Sequence, residues 1–174
     1  MEGTVLACFE YPPQPLRDDE IRLLVLPPGD KNDTPGLLNC ELLVVKLGDE
    51  PKYEALSYTW GPEEPAQGIL IHNRMQIVRP NLWQALNILQ NDSKGGSRYL
   101  WIDALCINQN NVLERNHQVA QMGRIYGHAE IVLAWLGPAD NTSSSAMRKI
   151  ISAPSQLRQG TLCYPFHYQG KSVC

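Results

Sequence analysis

Apolar residues occur along this chain in short runs cut by turn-forming clusters, and later in stretches of helical period. Residues 21–26 (IRLLVL) stop at Pro27-Pro28-Gly29, which predicts a short strand. Residues 29–36 (GDKNDTPG) read as a loop by composition. Residues 40–47 (CELLVVKL) predict a second strand, and the unbroken Leu42, Leu43, Val44 and Val45 predict burial on both of its faces. Residues 53–60 (YEALSYTW) predict a third strand, ended by Gly61-Pro62. Residues 69–72 and 75–78 flank Asn73-Arg74 in a hairpin pattern.

Pro80-Asn81 then opens a helix with Asn81 as N-cap. Leu82, Ala85, Leu86 and Leu89 form its apolar stripe, and residues 93–97 (SKGGS) end it. Residues 99–102 (YLWI) predict a buried strand running into Asp103. Asn111 and Glu114 form a capping-box-like pair at the start of a second helix. Val119, Met122, Ile125 and Tyr126 give that helix an apolar face, and Gly127 ends it. Residues 130–136 (EIVLAWL) predict the next strand, with Trp101 and Trp135 as core residues of their strands. Residues 143–151 begin one more helix, and 152–174 show no clear period. Strands alternating with helices from residue 53 onward predict a parallel sheet with crossover helices.

Length and composition narrow the picture. At 174 residues the chain suits one domain. A net charge of −3 leaves no excess of cations for a phosphate backbone, so nucleic acid is not an expected partner. The longest apolar run, 131–136, falls far short of the roughly 20 residues a bilayer span requires. The N-terminus has no basic segment of the signal-peptide kind. The five cysteines are scattered and form no CxxC pair, which predicts reduced thiols in a cytoplasmic protein and no metal site.

In open α/β sheets, ligands bind outside the carboxyl ends of the strands. That rule selects Trp60 and Gly61, then Asp103, Asn108 and Gln109, then Gly137 and Asp140. Trp60 can stack on a base, and Asp103, Asn108 and Gln109 can hydrogen-bond a ribose or an amide. The alternative is local: Asp103 and Asn108 fix the loop and cap the next helix. Cys106 and His117 are the right types for a nucleophile and base, but one falls on a loop and the other in mid-helix, which favours a buried structural thiol. Glu114-Arg115 is either a surface pair or an anchor between loops. Gly170-Lys171-Ser172 has Pro165 where a phosphate-binding loop needs glycine, and no GxGxxG or HExxH occurs.

Two strings, YEALSYTWG at 53–61 and LWIDALCINQ at 100–109, closely resemble the fungal heterokaryon incompatibility domain. So do Asn81-Leu82, Ala85-Leu86, Glu114-Arg115, Gln118-Val119, Met122, Ile125-Tyr126, Ala129 and Trp135-Leu136-Gly137, in family order. Ile21-Arg22-Leu23-Leu24 and the segment near Cys40 look like the usual lead into that domain. The resemblance implies a signalling or interaction module in fungal non-self recognition and programmed cell death, with protein partners or self-association. It also implies kinship with Toll/interleukin-1 receptor (TIR) domains. The expected fold is thus α/β and TIR-like (flavodoxin-like), a mostly parallel sheet with flanking helices plus an N-terminal β segment. The expected organisation is an arm over 1–20, the domain over 21–140 and an irregular tail over 141–174.

Some TIR relatives hydrolyse NAD with a glutamate on a later helix. By that analogy the Trp60-Gly61 and Asp103–Gln109 loops border the pocket, and NAD is a substrate by analogy only. The chain departs from the family at Asn110, where an aspartate is usual, and residues 141–174 hold no Asp or Glu. It therefore reads as C-terminally truncated, with no assigned catalytic residue and no cofactor. A nucleotide hydrolase using Asp103 or Glu114, and a gene fragment without independent function, are the alternatives.

Overall fold

The computed structural model describes residues 6–29, 38–93 and 95–137, and the backbone of 166–168 and 171–173. Seven strands form one sheet: β1 (Glu20–Leu26), β2 (Asn39–Lys46), β3 (Glu54–Tyr58), β4 (Gln67–Ile71), β5 (Arg74–Val78), β6 (Arg98–Trp101) and β7 (Ile131–Trp135). Between them run α1 (Pro80–Asn91), a short α2 (Asp103–Cys106), α3 (Val112–Ala120) and α4 (Met122–His128). A separate ribbon pairs β8 (Phe166–Tyr168) with β9 (Lys171–Val173). All but Gly29 of the loop expected over 29–36, the helix expected over 143–151 and most of the 141–174 tail lie outside the described residues.

The spatial order is β5-β4-β2-β1-β6-β3-β7. The sheet is mixed, not mostly parallel. β6, β3 and β7 are parallel, as are β2 and β4, while β1 runs antiparallel to both β2 and β6 and β4 runs antiparallel to β5. Connection length accounts for the antiparallel β4 and β5 and for the parallel β3, β6 and β7. A tight turn can only join antiparallel strands, whereas the segments between β3, β6 and β7 contain helices long enough to cross over. The N-terminal β segment is not an appendage, because β1 inserts directly beside β6.

β1 is the core strand: Ile21, Arg22, Leu23, Leu24 and Leu26 are all buried, on both faces. β2 departs from expectation. Cys40 is buried, but Leu43 and Val44 are 46% and 47% exposed. β4 pairs with β2 only at Asn39 and Cys40, so the second half of β2 has just β1 beside it. The hairpin turn also sits one residue earlier than predicted. His72 and Asn73 both adopt positive φ, at 51° and 61°, as a two-residue hairpin turn of the favoured hand requires. The arm is tied to β5, where the Phe9 amide donates to the Met75 carbonyl and the Met75 amide to Ala7, each at 2.8 Å. That covers part of an edge that would otherwise present unpaired amides.

The helices also correct the pattern in places. α1 buries Leu82, Ala85 and Leu86 as expected, but Pro80 occupies its first turn, Arg79 is the N-cap residue, and Asn81 caps nothing. The second helix breaks at Gln121 into α3 and α4, and α4 runs through Gly127 to His128. Val119 is 52% exposed, and the buried positions are Glu114, Gln118, Gln121 and Ile125. Polar groups have taken the inner face of α3, for a reason given below. Trp101 is fully buried, whereas Trp135 is only half-buried because β7 is an edge strand.

Candidate functional site

The carboxyl ends of β3, β6 and β7 gather beside the N-terminus of α1. β3 passes into Thr59, Trp60 and Gly61; β6 passes through Ile102 into Asp103, the first residue of α2. The Trp60 indole N–H donates to one Asp103 carboxylate oxygen at 3.2 Å, and the other accepts the Ala104 amide at 2.7 Å. Burial is the main influence on Asp103 and pushes its carboxyl upward; the two hydrogen bonds oppose this only in part. Both donors are uncharged, so nothing compensates the desolvated anion as a cation would. Burial also raises the neighbouring Tyr58 and Tyr126 phenols, with the Asp103 charge adding to it.

Arg79 holds the other rim. Its guanidinium lies 5.1 Å over the Trp60 ring and donates to the Gly61 carbonyl at 2.9 Å and to the Glu63 carboxylate at 2.8 Å. Gly61 has φ of 68°, so the turn favours glycine by conformation. Asn81 has left the capping role to bridge two strand ends. Its side-chain amide donates to the Thr59 carbonyl, and its oxygen accepts the Trp135 indole N–H at 2.7 Å. Between these groups is a recess of about 140 Å³, lined among others by Tyr58, Trp60, Arg79, Leu82, Leu105 and Gln109.

Of the seven residues selected from sequence, Asp140 lies outside the described residues and Gly137 follows β7 with φ of 100°, and the other five have different places. Trp60 and Gln109 line the recess, and Asp103 joins it through its bond to Trp60. Gly61 shapes the rim. Asn108 turns to its own loop, accepting the Asn110 amide at 3.2 Å, and Gln109 ties the loop by donating to the Asp103 carbonyl at 2.8 Å. Neither Asn108 nor Asp103 caps α3; Asn111 does, accepting the Glu114 amide at 3.1 Å. Cys106 is buried, bonded to the Ile102 amide and the Leu100 carbonyl, and burial pushes its thiol up to about 12; His117 faces Asp18.

Sequence reasoning missed Arg79 and Arg22. A cation at the positive end of a helix is out of place by the helix dipole, and that signal marked Arg79 as held there by something else. Arg22 interrupts an apolar run, and a buried arginine must find an acid. It finds Glu114, not Arg115's side of the helix: the pair is bidentate at 2.5 and 3.2 Å, with both side chains 2% exposed. Glu114 also accepts the Asn108 amide at 2.7 Å, and Arg22 donates to the Cys106 carbonyl at 3.2 Å. The Tyr11 ring lies 4.9 Å from the guanidinium, and its hydroxyl donates to the Leu105 carbonyl at 2.9 Å. Gln118, one turn on, donates to the Glu20 carbonyl at 2.9 Å. This network rolls the polar face of α3 inward and braces from behind the loop that carries Asp103 and Gln109.

Among the described residues, no group of three or more His, Cys, Asp or Glu could hold a metal ion, and no helix is long and apolar enough to cross a membrane. Compared with known proteins, residues 53–164 match the family described as heterokaryon incompatibility protein (HET). A curated relative, "Heterokaryon incompatibility protein 6, OR allele" of Neurospora crassa, is 32% identical over 152 residues, covering 80% of this chain and 22% of its own length. The chain thus spans about a fifth of that relative. No solved structure matches.

Proposed function

This chain belongs to the heterokaryon incompatibility family, and we propose that it acts as a signalling module of fungal non-self recognition whose working part is the Trp60–Asp103 cleft. Membership makes it an incompatibility-related fungal protein. The observation that carries the finer reading is convergence. The two strings that most resemble the family, 53–61 and 100–109, lie on the paired parallel strands β3 and β6, and beyond the strand ends Trp60 donates to Asp103. A carboxyl with raised affinity for its proton, held by an indole beside a recess, costs stability and suits a ligand-facing role. A cytoplasmic setting is proposed on the scattered cysteines, which form no CxxC pair.

The order β6-β3-β7 places the first parallel strand between the second and third, as in the flavodoxin-like order, and this supports a TIR-like reading of that half of the sheet. The recess lies below the roughly 300–1,000 Å³ usual for small-molecule sites, at about 140 Å³, so a whole dinucleotide needs the Arg79 rim to open. The test is expression of the full chain in a compatible fungal strain. The expected result is growth arrest with the unmodified chain and none with Trp60→Ala or Asp103→Asn, both folded by thermal melting. Unchanged arrest by both variants overturns the cleft; no arrest by the unmodified chain overturns the signalling role. Nicotinamide released from NAD by the purified chain, and lost in Asp103→Asn, replaces signalling by binding with a glycohydrolase reading.

A further inference from the structure

We infer that residues 11–17 are a docking segment for a domain that reads polyproline II helices, with a groove aromatic along its length and acidic at one end, the recognition chemistry of SH3 domains. The segment runs Tyr11-Pro12-Pro13-Gln14-Pro15-Leu16-Arg17. Polyproline II repeats every three residues, so Pro12 and Pro15 fall on one edge of such a helix. Each follows a residue, Tyr11 or Gln14, that completes a pair able to fill one pocket of the groove. Three prolines in four positions preset φ and remove amide donors, so docking orders little and strands nothing polar. Arg17 follows two residues after Pro15, and there it meets the acid that ends a groove of this kind.

The fold leaves this segment open. Pro12, Pro13, Gln14, Pro15 and Arg17 are exposed, and residues 12–16 make no hydrogen bond among the described residues. The Arg17 side chain is 82% exposed, and its contact with Glu20 at 3.9 Å is a surface pair worth little. The acids that follow are engaged elsewhere. A turn in which the Glu20 amide donates to the Arg17 carbonyl at 3.0 Å carries Asp18 to His117 and Asp19 to Arg124. One end of the segment is anchored: Tyr11 donates to the Leu105 carbonyl at 2.9 Å, with its ring 4.9 Å from the Arg22 guanidinium. The chain also bends at Pro13 and Gln14. A groove that takes Tyr11-Pro12 as its first pair must straighten that bend and draw Tyr11 off α2. Docking is therefore opposed by the Tyr11 bond, and loosening that bond favours the partner. None of this rests on the cleft reading.

The probe is an isolated SH3 domain that selects proline-first, arginine-last ligands, titrated by calorimetry against the full chain and against a peptide of residues 8–20. The expected result is micromolar binding by both. Pro15→Ala and Arg17→Glu should each weaken binding by the chain at least about tenfold, with the melting temperature of the unmodified chain, since both side chains are exposed. Tyr11→Phe keeps the ring and drops the bond to Leu105. It should tighten binding by the chain up to about fivefold and leave the peptide unchanged. Binding by the peptide but not by the chain overturns the inference, because the fold then closes the segment. So does binding by neither, binding indifferent to Pro15→Ala or Arg17→Glu, or binding by the chain that Tyr11→Phe fails to tighten.

Discussion

Two carboxylates, eleven residues apart, lead opposite lives in this molecule. Glu114 is buried, yet its carboxyl is held low: burial pushes it up, but the Arg22 bond, the Asn108 amide and the Arg22 charge together outweigh burial. Asp103 is less buried, yet its carboxyl is pushed up, because its partners are an indole and an amide without charge. The lesson is that burial alone does not decide a carboxylate's state; the charge of its hydrogen-bond donors does. Glu114 is an anchor, closed to ligands by the number of bonds it already accepts. Asp103 keeps an unfavourable desolvation that folding has not relieved, as a reactive or ligand-facing group does.

The largest effect should come from breaking the anchor. Glu114→Ala leaves a buried guanidinium unpaired and should lose about 3–5 kcal/mol in denaturant unfolding. Replacing both partners, Arg22→Met with Glu114→Leu, should recover most of that loss, because two apolar side chains leave no charge uncompensated. A double variant as unstable as the single one would mean that the Asn108 amide bond, not the ion pair, is what holds the loop.

Acid should sharpen the contrast next. The folded Glu114 carboxyl sits below its unfolded value, so its stabilisation is complete above the ordinary carboxylate range and fades as pH falls through the folded value. Asp103 works the other way. Its folded value is raised, so the folded protein binds the proton more tightly and stability declines as pH rises through the window between the two values. Glu114→Gln should flatten the acid limb of the stability profile, and Asp103→Asn should remove the decline. Thermal melts between mildly acidic and neutral pH check both. At neutral pH Asp103→Asn should melt at or slightly above the unmodified chain while losing the growth-arrest response, the mark of a group kept for function at some cost to stability. The smallest effect belongs to Tyr11→Phe, which removes only the bond to the Leu105 carbonyl and should cost about 1 kcal/mol.

Much of this was legible in the chain. Most strand and helix spans follow from runs and periods, although 103–106 reads as loop and forms α2, and α3 and α4 read as one helix; Trp60 and Asp103 were selected because each follows a strand's carboxyl end. Three features were hidden. Leu42–Val45 reads as a doubly buried strand, but whether β4 extends far enough to cover it is a matter of pairing. Asn81 reads as a cap, but Trp135 and Thr59 offer it better partners from distant strands. Val119 reads as core because apolar period is the dominant helical signal; the signal was overridden by one ion pair whose other half lies 92 residues earlier.

By itself the sequence determined where segments extend or coil, since that rests on neighbours a few residues apart: alternation, turn residues and caps. It also carried the family strings that mark the two cleft loops. Tertiary structure alone decided which face of α3 is inside, which strands run parallel, and which acid is paired with a cation and which with uncharged donors. Those outcomes depend on charge and hydrogen-bond partners brought together from far apart in the chain, and local pattern holds no record of such meetings.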